Sequence, residues 1–321
     1  MLASLRYLVA LSEHRHYARA AQSCHITQPA LSNALRALEK EFGIAIVKRG
    51  RTYAGLTPEG ERVLATAQRM LHEHELLQQE LHSSASQPQG SLQLGVVPTA
   101  VPVAARFAAQ LRKIHPGIAP VIRSLSSQEI ELGLENLSLD LGLGFMDRLN
   151  QHGSRFKLFP QYTEQYFLLR RVAVVGAART QLHLGPAMGW RDAAQLPLCL
   201  LTPEMHNRSI VDSAFAGLGL QVKPVMETNS ILALALSVVA GDVCSILPGA
   251  LVGAVRSYAE LEALPLVGPE LTTSVGFFSL SKASASHVLQ AALVLALDSA
   301  WLLHAARHSG ALHSTPESAH T

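Results

Sequence analysis

Apolar positions in the first sixty residues recur at helical spacing in three short blocks. Residues 2–12 and Tyr17–Ser23 each fit one short helix, and a third begins after Thr27. Thr27 can cap that helix, and Pro29 falls in its first turn, where a missing N–H costs nothing. Leu31, Ala34, Leu35 and Leu38 share one inward stripe; Gln28, Ser32 and Arg36, spaced four apart, point the other way with Asn33 beside them. After Gly43, a short apolar strand at 44–47, a basic turn at 48–51 and a return to Leu56 predict a hairpin wing. From Pro58 to about His82 the pattern turns long and helical. Val63, Ala67, Met70, His74, Leu77 and Leu81 alternate by four and three, as in a coiled-coil seam. About 25 residues at 1.5 Å each make a rod of roughly 37 Å, long enough to pair with a copy of itself. His74 is the polar exception in that seam.

Beyond a short polar linker at 83–90, strand-like runs alternate with helical ones. The runs are 92–97, a helix over 101–114, 119–125, a helix from Ser127, and 139–145, which together imply a parallel sheet with both faces covered. A second series follows: 165–169, 198–201, helices near 209–216 and 230–240, and 243–247. The segment from about residue 308 lacks apolar periodicity and is expected to be a disordered tail.

Composition narrows the possibilities. A chain of 321 residues predicts two or three domains, and 48% hydrophobic with 16% charged residues is an ordinary globular balance. The net charge of +2 is too near neutral for a general polyanion binder, but it is unevenly placed. Residues 1–57 carry eight basic against three acidic side chains, a local +5 that leaves −3 for the rest. A basic N-terminal module on a mildly acidic body is the footprint of a nucleic-acid reader with a separate second domain. Three scattered cysteines fit a reducing, cytoplasmic setting. Arg6 interrupts the first apolar run, so no signal peptide is expected, and the apolar runs at 231–240 and 291–297 fall short of the ~20 residues that span a bilayer.

A helix whose exposed face holds amides, a hydroxyl and a guanidinium suits base edges in a major groove, and a basic wing can lie along phosphates. At these residues the chain resembles the LysR-type transcriptional regulators. The resemblance rests on Ala20-Ala21, on Gln28-Pro29-Ala30-Leu31-Ser32 opening the third helix, on Leu38-Glu39, on Arg49, and on Leu56-Thr57 with Gly60. It implies DNA contacts at Thr27, Gln28, Pro29, Ser32, Asn33 and Arg36, with Arg49 and Arg51 in the wing. Two departures are Val47, where the family usually has Phe, and wing arginines redistributed to Arg49 and Arg51. The implied division is a winged helix-turn-helix at 1–58, a linker and dimerisation helix at 59–89, and an effector domain at 90–321. That last part is expected to hold two α/β subdomains resembling periplasmic solute-binding proteins, at 90–163 plus 267–308 and at 164–266, in a homodimer or homotetramer paired through Val63, Ala67, Met70, Leu77 and Leu81.

Helix N-termini with nearby hydroxyls stabilise small anions, which makes Thr99, Ser127 and Thr202 candidates for a carboxylate effector, with Ser126 and Asn229 behind them. The first three hydroxyls serve equally as caps of their own helices, and Ser126 and Asn229 fit turn positions as well. His72 and His74 lie on different faces of a helix, and no other cluster has metal spacing, so neither metal nor cofactor is expected. Cys199 and Cys244 read either as a thiol switch or as small buried hydrophobes. Two readings compete with a regulator: a cytosolic small-molecule carrier, which needs neither a reading helix nor a coiled-coil seam, and an enzyme, for which no nucleophile has a base beside it in sequence.

Overall fold

The computed structural model describes residues 1–48, 50, 52–82, 87–149, 155–172, 180–281 and 286–309. Three helices open the chain: α1 (Leu2–His14), α2 (Tyr17–Ser23) and α3 (Gln28–Phe42). Their inward stripes, Leu5, Leu8 and Leu11 from α1, Ala20 and Ala21 from α2, and Leu31, Leu35 and Leu38 from α3, form one small core closed by Ile46 and Leu56. The expected strand at 44–47 is reduced to a single bridge, Val47 to Leu56. Glu39 takes its place: one carboxylate oxygen accepts from the N–H of Ile46 at 2.7 Å and of Val47 at 3.1 Å, pinning the wing to α3.

The long helix α4 runs Pro58–His82. A Cβ on Gly60 would lie 2.1 Å from the Ile46 carbonyl oxygen, so the helix can approach the wing this closely only with glycine there. Ala67 is buried in the winged-helix core, and Val63 packs against it. These two positions, read from sequence as part of a pairing seam, serve the chain's own module; Met70, Leu77 and Leu81 are left exposed. A four-three spacing marks an apolar face without saying what covers it.

The remainder alternates β1 (Gly90–Val96), α5 (Val101–Ile114), β2 (Ile118–Ser124), α6 (Ser127–Glu135), β3 (Leu141–Phe145), α7 (Met146–Leu149) and β4 (Phe156–Arg171). Then come β5 (His183–Leu184), β6 (Met188–Gly189), α8 (Trp190–Ala193), β7 (Leu198–Leu201), α9 (His206–Gly217), β8 (Met226–Thr228) and α10 (Ile231–Ala240). The last elements among the described residues are β9 (Cys244–Pro248), α11 (Gly249–Ala254), β10 (Leu261–Val267), β11 (Thr272–Leu280), α12 (His287–Ala296) and α13 (Ser299–Arg307). The strand order is β2-β1-β3-β11-β4-β9-β7-β8, with β10 pairing β4 and the short β5 and β6.

Parallel pairs occur as expected, β1 with β2 and β3, and β7 with β8 and β9. The sheet is nevertheless mixed, because β11 runs antiparallel to β3 and β4, and β4 antiparallel to β9 and β10. Strand β4 is 16 residues long, against the five that its apolar run suggested. Its first half pairs β11 and its second half pairs β9 and β10, so one strand serves two sheets.

In the second sheet both faces are covered and the pleat sorts side chains by parity. Phe167, Leu169, Cys199, Leu201 and Leu247 face one core, and Tyr166, Leu168, Leu198, Leu200 and Ile246 the other. That two-sided burial is why these strands read as unbroken apolar runs. The first sheet packs α5, α12 and α13 around Phe107, whose ring centroid lies 4.5 Å from Phe277 and 5.1 Å from Trp301. Among the described residues no single helix is long and apolar enough to cross a membrane. The expected tail lies almost wholly outside the described residues, which stop at Ser309.

Candidate DNA-reading face and effector cleft

The α3 helix starts with the Thr27 side chain accepting from the Ala30 N–H at 3.4 Å and ends on Gly43 at φ 67, a left-handed cap that glycine adopts without strain. With Leu31, Leu35 and Leu38 buried, geometry forces the opposite face outward. Thr27, Gln28, Pro29, Asn33 and Arg36 are exposed, and Ser32 is half-buried beside them. Arg36 donates to the Asn33 side-chain oxygen Oδ1 at 3.2 Å, which orders the guanidinium and amide as one hydrogen-bonding surface. Arg49 and Arg51 lie outside the described residues; their neighbour Lys48 is exposed and its N–H closes the wing onto the Gly55 carbonyl at 3.0 Å. The edge-to-face pair Tyr17 and Tyr53, 6.3 Å apart, ties the wing to α2.

Thr99, Ser126, Ser127, Thr202 and Asn229 all follow the carboxyl ends of parallel strands, the place where open α/β sheets bind ligands. The two sheets turn these ends toward each other, since the Phe145 ring at the end of β3 meets the His206 ring at the start of α9, centroids 5.0 Å apart. The structure separates the five candidates. Ser126 makes a full capping box with Glu129, accepting from its N–H at 3.3 Å while its own N–H donates to the Glu129 carboxylate at 2.8 Å. Thr202 donates its hydroxyl to Glu204 at 2.7 Å, which removes it as an anion donor and puts a carboxylate at that lip. Asn229 is exposed, and the cap of α10 is Ser230 instead. Thr99 is buried in the turn after β1. The Ser127 hydroxyl is buried at the start of α6 with no partner among the described residues.

Strand β4, which passes between the two sheets, carries buried polar residues the sequence did not single out. On β4, Tyr162, Glu164 and Tyr166 share one face by period two, with Thr273 of β11 opposite Glu164. Glu164 accepts from the Ala250 N–H at 2.9 Å, and Tyr166 accepts from the Asn207 amide at 3.1 Å. Burial drives both phenols well above their ordinary pKa, and the Glu164 charge adds to the effect, so both stay neutral donors. His206 is shifted down by burial and then by Arg148, which favours a neutral imidazole. Arg208, a buried residue of α9, donates to the Leu201 carbonyl at 2.6 Å and to Glu227 and Asp212 at 2.7 and 2.8 Å. The Tyr166–Asn207 and Glu164–Ala250 partners lie 41 and 86 residues apart, so no local pattern announces them, whereas Arg208 and Asp212 are neighbours on one helix face.

The cysteines are settled by register. Cys199 pairs Ser245 and Cys244 pairs Leu198 on adjacent parallel strands, so the two thiols lie on opposite faces of the sheet, in different cores. A bond between them would have to pass through the sheet. Burial raises both thiols above their ordinary pKa, the opposite of what activates a cysteine.

A winged helix-turn-helix whose reading face is free, joined by a long helix to a two-lobed α/β domain, defines a DNA-binding protein with an attached ligand-binding unit. Residues 2–61 match the model for bacterial regulatory helix-turn-helix proteins of the lysR family, and residues 85–301 match the LysR substrate binding domain. The chain belongs to the LysR-type transcriptional regulators, which are not enzymes. A hydrogen peroxide-inducible genes activator from Pectobacterium carotovorum is 31% identical over 140 residues, 43% of this chain and 46% of that relative. The chain thus matches this curated relative over less than half of its length. Full-length structures align almost throughout: an OxyR variant from Pseudomonas aeruginosa at TM-score 0.64 and 22% identity, covering 98% of this chain and 99% of that one, and CbnR complexed with its target DNA at TM-score 0.65 and 18% identity, covering 95% and 100%. At these identities the likeness shows the fold.

Proposed function

We propose that the chain is a cytoplasmic regulator that reads operator DNA through Gln28, Pro29, Ser32, Asn33 and Arg36 of α3, with Thr27 at its cap and the arginines of the wing, Arg49 and Arg51, along the phosphate backbone. The observation that carries this is the free polar face of α3 over a buried apolar one. The reading divides the chain at 1–58, 59–89 and 90–321, with the last part in two lobes. A small anionic effector, such as a carboxylate, binds between the lobes at the N-terminus of α6, with the unpartnered Ser127 hydroxyl and Thr99 as donors. Thr202 is left out, because its hydroxyl already serves Glu204.

A second copy of the chain covers the exposed stripe Met70, Leu77 and Leu81, together with the apolar groove of about 420 Å³ that Leu5, Phe42, Ile44 and Met70 line beside it. Homodimers formed in this way, or tetramers built from them, place two reading helices on one operator. The test is capture of genomic fragments by the purified protein at physiological salt, followed by titration of the enriched fragment with a panel of small carboxylates. Enrichment of a discrete two-fold site whose binding one compound alters supports the reading. A protein that enriches no fragment yet binds small molecules is a carrier.

A further inference from the structure

Away from the cleft, a cavity of about 200 Å³ lies where α1, α4 and the first sheet meet, far above the roughly 10–15 Å³ of probe volume that one water needs. Its wall holds three carboxylates and two side-chain oxygens without a partner. The side-chain oxygens of Gln79 on α4 and Gln93 on β1 are buried there without a hydrogen-bond partner. Asp140, before β3, accepts the Gln93 N–H at 2.7 Å. Glu75 of α4 and Glu13 of α1 add two more carboxylates to the lining. Against these three stand Arg123, held by Glu13 at 3.6 Å, and the imidazole of His72. Burial raises the Asp140 carboxyl above its ordinary pKa and Glu75 raises it further, while the Gln93 N–H and His72 only partly offset this. An acid so placed is short of positive charge and of donors.

We propose that this junction cavity binds a small organic cation rich in N–H donors, of the alkylguanidinium or diamine class, which bridges the reading module, α4 and the first lobe. Such a ligand places positive charge beside Asp140 and Glu75 and N–H donors beside the side-chain oxygens of Gln79 and Gln93. Because its wall comes from three elements, it stabilises the arrangement in which they meet and shifts the population toward it. The site is separate from the cleft, and its ligand has the opposite charge.

The test is calorimetric titration of the full chain with agmatine, with sodium chloride at matched ionic strength as reference. Saturable one-site binding is expected, weakened at least tenfold by Asp140→Asn and by Glu75→Gln. Glu75 is exposed on its helix, so its variant remains informative where Asp140→Asn fails to fold. Heats no larger than the salt reference, or binding unchanged in Glu75→Gln, overturn the proposal. Agmatine binding lost in Ser127→Ala and kept in Glu75→Gln also overturns it, by placing the cation in the cleft. Operator capture is scored separately, so failure of the regulator reading leaves this result intact.

Discussion

Glu39 joins the reading helix to the wing, and replacing it isolates that link. One carboxylate oxygen accepts two backbone N–H groups, from Ile46 and Val47, at 2.7 and 3.1 Å in a partly buried position. Hydrogen bonds to a charged group contribute about 1.5–3 kcal/mol each, but the two share one oxygen and part of the site is wet, so a total of about 2–3 kcal/mol is the reasonable figure. Glu39→Ala leaves both donors unpaired, whereas Glu39→Gln keeps a carbonyl acceptor and loses roughly half. Local opening of the wing then becomes easier by that amount, and amide protection at residues 46–47 falls by roughly 30- to 150-fold in the alanine variant, at 1.4 kcal/mol per decade. Hydrogen exchange on the full chain reads this without assuming that a multidomain protein unfolds in one step. Operator affinity falls in the same order, alanine more than glutamine, because the wing loses its fixed place beside α3. Unchanged protection at 46–47 in Glu39→Ala would refute the reasoning: the wing would then be held by the Val47 to Leu56 bridge, the Lys48 and Thr57 bonds to the Gly55, Ala45 and Ile46 carbonyls, and the Tyr17 and Tyr53 rings.

Arg36→Ala weakens specific operator binding by about 1–3 kcal/mol if the guanidinium contacts a base edge, as read by competitive gel shift; an equal loss on random DNA means a phosphate contact. Trp301→Phe removes the indole N–H that Gln161 accepts at 2.6 Å in the buried core, and the orphaned acceptor lowers the stability of the effector domain by about 1–3 kcal/mol in chemical unfolding, a cost absent if water replaces the bond. His206 has its pKa lowered in the fold, so the unfolded chain binds more protons below the ordinary 6.5, and stability falls as pH drops through that value toward the folded one. Thermal scans between pH 7 and 5 show a shallower slope for His206→Gln; an unchanged slope assigns the acid sensitivity to other groups. Peroxide treatment followed by peptide mass analysis finds no bond between Cys199 and Cys244, because they face opposite sides of the sheet.

What the sequence discloses about this chain depends on how far apart the partners are. The reading face of α3 is legible because burial of Leu31, Leu35 and Leu38 and exposure of Gln28, Asn33 and Arg36 are set within one helix. The cap at Thr27 is legible for the same reason, its partner lying three residues away, whereas the cap of α6 is Ser126 and not Ser127, on which the capping reading fell. The buried polar residues of β4 are not. Tyr166 meets Asn207 from 41 residues away and Glu164 meets Ala250 from 86, and each looks in sequence like an ordinary polar residue in a strand. Two readings stop short of the structure for one cause. On α4, Val63 and Ala67 continue the spacing of Met70, Leu77 and Leu81, yet the first pair serves the winged-helix core while the others remain exposed, because periodicity counts faces and not neighbours. On β4, the polar first half hides a strand whose pairing is set by β11, more than a hundred residues later. In both, one rigid element serves two bodies: α4 carries the reading module and borders the first lobe, and β4 belongs to both sheets. A signal that passes from cleft to DNA must cross these two elements. That is the physical reason to look for coupling at the α4 junction, where unpartnered acceptors remain, before looking for it in α3 itself.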